Sequence, residues 1–243
     1  MTPLPQNVEG ELPVNEVFYS LQGEGRWSGC PALFIRFQFC NLGCAWCDTR
    51  YTWEQSEISP VTWFTADALS KAIEDIIPNG DEKIDRIHIV ITGGEPLLHQ
   101  DSLVQLISLL SKQGYKFFEI ETNGTIIPSH KIINLVSWWN CSPKLSNNLL
   151  SEGKRINQNA IQAIVDTGKA DFKFVVRNRD DVEEILRSYG DWIPANRIWL
   201  MPEGKTRERQ LKRMQEISEL CKQFGFKLSP RLHILNWDNE RKR

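Results

Sequence analysis

The sequence predicts an α/β fold in one domain, built around a mainly parallel sheet. Three observations predict it. Short β-rich runs alternate with amphipathic helical patterns, as repeated βα units do. No Gly/Ser linker, internal repeat or low-complexity tract divides the 243 residues, a length ordinary for one α/β barrel. Five polar, Gly-bearing or Pro-bearing segments each follow a predicted strand. Parallel barrels build their sites from loops at the carboxyl ends of their strands, so these five are expected to share one rim and one pocket.

The β-rich runs place strands at residues 14–21, 32–39, 87–91, 117–121, 138–141, 171–176, 198–201 and 227–233. Between them, residues 65–77 put Ala68, Leu69, Ala72, Ile73 and Ile76 on one helical face, ending at Pro78. Residues 101–113 carry Leu103, Leu106, Ile107 and Leu110, with Asp101 as N-cap and Gly114 as stop. Residues 157–167, 180–189 and 207–224 read as further helices, the last with Leu211, Met214, Ile217 and Leu220 at helical spacing. Residues 51–64 show no periodicity and read as a loop or insertion beside the site. Residues 234–243 form a C-terminal tail of the single 1–243 domain.

With 41% hydrophobic residues, nine Trp and eleven Phe, the chain can bury a substantial core. The balance of 29 basic and 31 acidic residues argues against a nucleic-acid binder acting through a positive field. The basic end, Glu240-Arg241-Lys242-Arg243, is expected to be a solvated tail without a role. Residues 1–7 lack the basic and apolar regions of a signal peptide, and no apolar run approaches the roughly 20 residues of a membrane span. A cytoplasmic location is expected, with no membrane partner. Six cysteines in such a chain do not form a disulfide framework, and free thiolates imply a reducing interior.

Three of those cysteines share one short loop, Cys40-Asn41-Leu42-Gly43-Cys44-Ala45-Trp46-Cys47. Three thiolates can hold three corners of a cubane iron–sulfur cluster and leave the fourth iron open for chemistry. A closed zinc site would want a fourth N or S ligand, usually from a second nearby pair. Cys30, Cys141 and Cys221 stand apart and read as small buried hydrophobes, and His88, His99, His130 and His233 are scattered. The segment Thr92-Gly93-Gly94-Glu95-Pro96 follows the third predicted strand. Its glycines permit close backbone approach, and its carbonyls and the Glu95 carboxylate suit the ammonium of a bound amino acid.

The C-x-x-x-C-x-x-C spacing with Trp46 before the last Cys, together with Gly93-Gly94-Glu95-Pro96, resembles the radical S-adenosylmethionine (SAM) superfamily. The resemblance implies a partial, incomplete TIM-like βα barrel, a 4Fe-4S cluster on Cys40, Cys44 and Cys47, and SAM chelating the open iron. Leu21-Gln22-Gly23-Glu24-Gly25, Cys47-Asp48-Thr49 with Tyr51-Thr52-Trp53, and Ser142-Pro143-Lys144 narrow it to the 7-carboxy-7-deazaguanine synthase family. That likeness runs from Leu21 to the tail. It implies a lyase acting on 6-carboxy-5,6,7,8-tetrahydropterin, a flavodoxin- or ferredoxin-type reductant, and a homodimer.

Carried over residue by residue, the resemblance assigns Trp46, Cys47, Asp48, Gly94, Ser142, Pro143 and Lys144 to SAM. It assigns Leu21, Gln22, Gly23, Arg36 and Thr92 to the pterin, and Thr49 to Mg²⁺. A planar guanidinium suits a carboxylate or a pterin oxygen, and a hard cation suits a hydroxyl plus waters. Blander readings stand beside each: Gln22 and Arg36 pointing into solvent, Thr49 capping a turn, Lys144 as a surface lysine, Gly93-Gly94 as a simple turn. Two departures are visible: Arg231-Leu232-His233-Ile234 where many relatives have Gln-x-His-Lys, and Trp237-Asp238-Asn239 where others have Trp-Gly-Asn, so the C-terminal wall of the pocket is left unassigned. Two rivals remain at this stage. A glycyl-radical activase would consume SAM stoichiometrically without turning over a pterin; a zinc-holding module would be colourless and indifferent to air.

Overall fold

The computed structural model describes residues 10–77, 83–238 and 240–242. A nine-stranded sheet runs in the order β3-β1-β2-β4-β5-β6-β7-β8-β9. Its strands are β1 (Leu12–Leu21), β2 (Pro31–Phe37), β3 (Thr62–Phe64), β4 (His88–Gly93), β5 (Phe117–Thr122), β6 (Trp138–Cys141), β7 (Ala170–Val176), β8 (Ile198–Pro202) and β9 (Lys227–Leu228). From β2 to β9 every neighbouring pair is parallel. β1 is antiparallel to β2, and β3 antiparallel to β1, so β3 and β9 remain the two ends of an unclosed barrel.

The helices are α1 (Ala66–Glu74), α2 (Gln100–Lys112), α3 (His130–Leu135), α4 (Glu152–Arg155), α5 (Gln158–Asp166), α6 (Arg179–Tyr189), α7 (Arg207–Phe224) and α8 (Leu232–Trp237). Thr65, Asn157, Asn178 and Thr206 cap α1, α5, α6 and α7 with side-chain oxygens, satisfying amides that the first turn leaves open. Leu69 and Ile73 of α1, Leu103, Leu106, Ile107 and Leu110 of α2, and Ile161 and Ile164 of α5 bury one apolar stripe each against the sheet.

Strand alternation divides the sheet's two faces. Leu33, Ile35 and Phe37 of β2, Ile89 and Ile91 of β4, Phe118 and Ile120 of β5, Trp139 and Cys141 of β6, and Phe172, Phe174 and Val176 of β7 join the large core under the helices. Side chains at the intervening positions point to the opposite, concave face. There Phe34 and Val90 give way toward the strand ends to Arg36 and Thr92, and β5, β6 and β7 contribute Glu119, Glu121, Asn140 and Lys173. A polar wall therefore grows directly out of strands whose other face is hydrocarbon.

Several expectations change. The final strand, expected over 227–233, ends at Leu228; Ser229-Pro230 turns the chain and α8 follows. The expected loop at 51–64 contains β3, which pairs with Leu12–Val14 and covers the edge of β1. α2 begins one residue early, after a 3-10 turn over Pro96–His99, so His99 rather than Asp101 precedes it. α1 ends at Glu74, and the proposed stop at Pro78 lies outside the described residues. Along α7, Ile217 and Cys221 are buried while Leu211 is exposed. Cys141 and Cys221 are buried as expected, but Cys30 is half-buried. Among the described residues no helix is long and apolar enough to cross a membrane.

The largest change concerns the segment after β1. Because β1 is antiparallel, Leu21 pairs with Pro31 at the amino end of β2, and Gln22–Gly25 starts at the rim opposite to the cysteine loop. Only four of the five segments belong to the carboxyl rim. The fifth crosses beneath the concave face: Trp27 packs edge-on against His88, Phe117 and Trp138, at the starts of β4, β5 and β6. Arg26 pairs with buried Asp171 at 2.8 Å and lies over the Trp138 ring. The segment is a plug in the base of the barrel, and its Gln22-Gly23-Glu24 face forms the floor of the pocket.

Candidate active site

One cavity is lined from both ends of the barrel. Leu21, Gln22, Gly23, Arg36, Cys40, Trp46, Cys47, Asp48, Thr49, Thr92, Gly94, Ser142 and Lys144 all face it, and so does Cys44. Of the residues that the resemblance assigns to cluster, SAM, pterin or Mg²⁺, Pro143 alone is absent from this lining; it is buried.

The cysteine loop leaves β2 through Phe39, whose φ of 73° turns the chain sharply. Each of the three sulfurs faces an N–H donor: Leu42 N at 3.4 Å from Cys40 Sγ, Asn148 Nδ2 at 3.6 Å from Cys44 Sγ, and Trp53 Nε1 at 3.3 Å from Cys47 Sγ. A neutral thiol is a weak acceptor, whereas such donors stabilise sulfur that carries negative charge. Burial pushes the Cys40 thiol up to about 12 and raises that of Cys44 as well. Among the described residues no three His, Cys, Asp or Glu side chains converge on a single-ion position. All three cysteines line the same cavity, and three thiols on one short loop are a donor set suited to three corners of a cubane. The donor set fits a cluster.

Beside it, Gly93 has φ +135°, and a Cβ there would lie 2.3 Å from the Phe37 carbonyl oxygen. A Cβ on Gly94 would lie 2.0 Å from the Phe39 oxygen and 2.9 Å from Cys40 Cβ. The two glycines therefore let the β4 end press against the cysteine loop, and they are more than a simple turn. Glu95 does not serve as expected. Its carboxylate is fully buried, accepts from Thr122 Oγ1 at 2.9 Å, Asn123 N at 2.7 Å and Leu97 N at 3.0 Å, and faces away from the cavity. It fastens β5 to β4, and only backbone groups of this segment are left for a ligand's ammonium.

Lys144 is no free surface lysine: Nζ donates to Ser142 Oγ at 2.9 Å and stands 5.4 Å from the centre of the Trp46 ring. Trp46 is held by Nε1 donating to Asn147 at 2.9 Å. Thr49 precedes a 3-10 turn over Arg50–Thr52, yet its side chain makes no capping bond; its hydroxyl lies 3.5 Å from Cys47 Sγ and lines the cavity. Lys205 Nζ ties the loop from β8 to Cys47 by its carbonyl at 2.7 Å.

A further stretch of the lining is built of paired charges. Arg36 Nε donates to Glu16 at 2.7 Å, while its terminal nitrogens have no partner among the described residues. Tyr51 Oη donates to the same carboxylate at 3.1 Å and Arg241 at 3.2 Å, with Arg241 stacked 3.8 Å over the Tyr51 ring. Burial works upward on Glu16, but Arg36 first, then Arg241 and Tyr51, hold its carboxyl below the usual range. Thr92 Oγ1 donates to Glu121 at 2.8 Å, and Gln22 Nε2 reaches Glu119 at 3.3 Å and Glu121 at 3.4 Å. Gln22 and Arg36 thus point into the pocket and away from bulk solvent.

The C-terminal segment, left unassigned or expected to be idle, closes this wall. His233, Ile234, Asp238, Glu240, Arg241 and Lys242 all line the cavity. His233 packs so tightly that a Cβ on Gly23 would meet its Nδ1 at 2.1 Å. Desolvation lowers His233 from its ordinary value, and Arg231 adds to the effect. Glu240, Arg241 and Lys242 are exposed, as a solvated tail would be, yet the buried Glu16 carboxylate draws Arg241 to the cavity edge. Glu16, Glu121 and Lys173 carry no motif in the sequence, and Glu24 and Arg231 stand there within motifs without a role of their own. The available signal was polar residues at alternate positions within otherwise apolar strands, as in Phe117-Phe118-Glu119-Ile120-Glu121.

The Radical SAM superfamily pattern matches residues 34–203. The chain is similar to a 7-carboxy-7-deazaguanine synthase of Pyrobaculum aerophilum, 37% identical, over 94% of this chain and 96% of that protein. Its fold is similar to the crystal structure of QueE from Escherichia coli, with TM-score 0.66 and 30% identity, covering 92% of this chain and 95% of that one. Native anSMEcpe with bound AdoMet has TM-score 0.55 at 14% identity, covering 78% of this chain and 61% of that one, a likeness of fold alone.

Proposed function

The chain belongs to the radical SAM superfamily and within it to the 7-carboxy-7-deazaguanine synthase family, and from that premise we propose that it converts 6-carboxy-5,6,7,8-tetrahydropterin to 7-carboxy-7-deazaguanine with loss of ammonia, in queuosine-type 7-deazapurine biosynthesis. One observation carries the reading: the cysteine trio and the Arg36–Thr92–Glu121 wall line a single cavity. The cofactors of the family are a 4Fe-4S cluster and SAM; when bound, they supply a carbon radical that takes a hydrogen atom from the substrate.

The chain's own residues orient and enclose. Cys40, Cys44 and Cys47 would hold the cluster, and the donors from Leu42, Asn148 and Trp53 would offset negative charge on their sulfurs. Gly94, Trp46, Asp48 and the Ser142–Lys144 segment form the SAM side, where the Lys144 cation suits a carboxylate. Arg36 offers its terminal nitrogens to the pterin carboxylate. Glu121 and Gln22 present acceptors to ring N–H groups, and Thr92 fixes the rotamer of Glu121 by donating to it. Leu21 and Gly23 complete the floor under the ring. The plug beneath and the tail above exclude water from a radical reaction. Thr49, whose hydroxyl is free of capping duty, is our candidate ligand for Mg²⁺, with waters and substrate oxygens as the remainder. A flavodoxin- or ferredoxin-type donor, a homodimer and a cytoplasmic location complete the proposal.

The test is anaerobic reconstitution with iron and sulfide, then incubation with the carboxytetrahydropterin, SAM, Mg²⁺ and a low-potential reductant. Deazapurine absorbance in many-fold excess over SAM consumed is the expected result. Consumption of SAM without any deazapurine would overturn the proposal.

A further inference from the structure

We propose that Arg231 is a positioning residue for this reaction, a single guanidinium that holds the cluster loop, the basal plug and the loop after β8 in one register. The inference rests on the function proposed above. Arg231 is 9% exposed and stands just before α8, at the meeting point of three segments remote in sequence. Its Nε donates to Glu24 at 3.0 Å, its Nη1 to the Gly204 carbonyl at 3.0 Å, and its Nη2 to Asp48. All three partners line the cavity. Asp48 sits between Cys47 and Thr49, so its place sets the end of the cysteine loop.

The charges alternate onward into the substrate wall. Glu24 takes Lys173 Nζ at 2.9 Å; Lys173 stands 3.5 Å from Glu121; Glu121 holds Thr92. Asp48–Arg231–Glu24–Lys173–Glu121 is thus an unbroken ionic chain from the cofactor side to the substrate side. Arg231 and Lys173 are its buried members, while Asp48 and Glu121 are more open, and removing a buried member leaves the carboxylates around it uncompensated. Without Arg231, Asp48 loses its cation and lies near the Glu24 carboxylate, and the two walls are free to move apart. Only a planar fork can serve three acceptors in different directions; a lysine ammonium keeps the charge and loses the geometry. Arg231 itself lines the cavity, but every donor described above is turned to protein, so it acts through Asp48 and Glu24.

A radical generated out of register with its target is quenched without product, so the informative quantity is 5′-deoxyadenosine released per deazapurine formed. In Arg231→Gln this ratio is expected to rise about 10-fold and kcat to fall about 10- to 100-fold, in line with the cost of misplacing reacting groups by about 1 Å. Iron and sulfide per chain should stay at the wild-type level. Arg231→Lys should fall between the two, and the exposed Arg187→Gln should match wild type. A lower melting temperature with an unchanged ratio would mark a merely structural role and overturn the inference. Should Arg231→Gln not fold, the ratio in Arg231→Lys decides by the same two outcomes. A wild-type chain that makes no deazapurine defeats the function itself, whereas wild-type turnover with equal ratios in all variants defeats this inference alone.

Discussion

A methyl group on Gly94 would lie 2.0 Å from the Phe39 carbonyl oxygen and 2.9 Å from Cys40 Cβ, and the nearest of these atoms are backbone. Neither neighbour can swing aside, so the cysteine loop itself must shift. Gly94→Ala is therefore predicted to cost about 1–3 kcal/mol of stability, the usual range for overpacking, and to lower iron and sulfide content together. Thermal unfolding and metal analysis after reconstitution check this; a full cluster at wild-type stability would contradict it. Cys44→Ala tests the ligand assignment more directly. Its sulfur receives Asn148 Nδ2 on an otherwise buried wall, and its loss should abolish both brown colour and turnover while leaving the core untouched. At this scale the sequence was most readable where chemistry demands a residue type, as with the cysteines, and least where one residue has two uses. Glu95 shows the difference: nothing in the letters Gly-Gly-Glu-Pro tells whether a carboxylate faces a ligand or fastens two strands, and here it fastens two strands.

At the scale of elements, an antiparallel first strand moves the segment that follows it to the other end of the barrel. The strand periods of 14–21 and 32–39 were visible, but direction of pairing is a long-range property that local alternation does not encode. The 22–30 segment therefore turned from rim loop into basal plug. Its anchor is Trp27, wedged among His88, Phe117 and Trp138. Trp27→Ala is predicted to destabilise by roughly 3 kcal/mol, the lower part of the range for a large aromatic, and to raise KM for the pterin because Gln22 and Glu24 lose their base. A shift of the urea midpoint with KM unchanged would mean that plug and floor are independent. The tail is the complementary element. Charge counting suggested a solvated end, yet Arg241 is drawn to Glu16 and lies over Tyr51. Removing residues 239–243 should leave cluster content intact and raise KM several-fold, measured by steady-state turnover; an unchanged KM would return the tail to solvent.

For the molecule as a whole, the parallel sheet, its helices and the open barrel followed from periodicity, while the ionic interior did not, since its members are scattered from Glu16 to Arg241 and only folding brings them together. That interior makes stability depend on pH in a definite direction. Glu16 and Glu24 are held below their usual 4.5, and Asp48 below 3.8: desolvation opposes this in each case, but Arg36 for Glu16, Lys173 for Glu24 and Arg231 for Asp48 lead the attractions that outweigh it. In acid the unfolded chain takes up protons at these groups before the folded chain does, so their contribution is complete above about pH 5 and is lost below it. His233 is held under its usual 6.5 by desolvation, and neutral in the fold; the unfolded chain protonates it first, so its contribution falls as pH drops through 6.5. Glu95 acts in the opposite sense, since burial raises it and the folded state keeps its proton longer, but it stands alone against these four and His99, which burial likewise holds below 6.5. Lys173 and Arg231, both raised by their carboxylates, stay charged throughout this range. The urea midpoint of the cluster-free chain is therefore predicted to be highest between about pH 7 and 8, to decline from 6.5 and to steepen below 5; above about pH 8 it declines again, because burial raises the Cys40, Cys44 and Cys141 thiols and the unfolded chain gives up those protons first. Glu16→Gln should lower the plateau and flatten the steep limb, because the missing carboxylate can no longer be titrated. A midpoint constant from pH 7 to 4 would show that these charges are not paired in solution as they are in the fold.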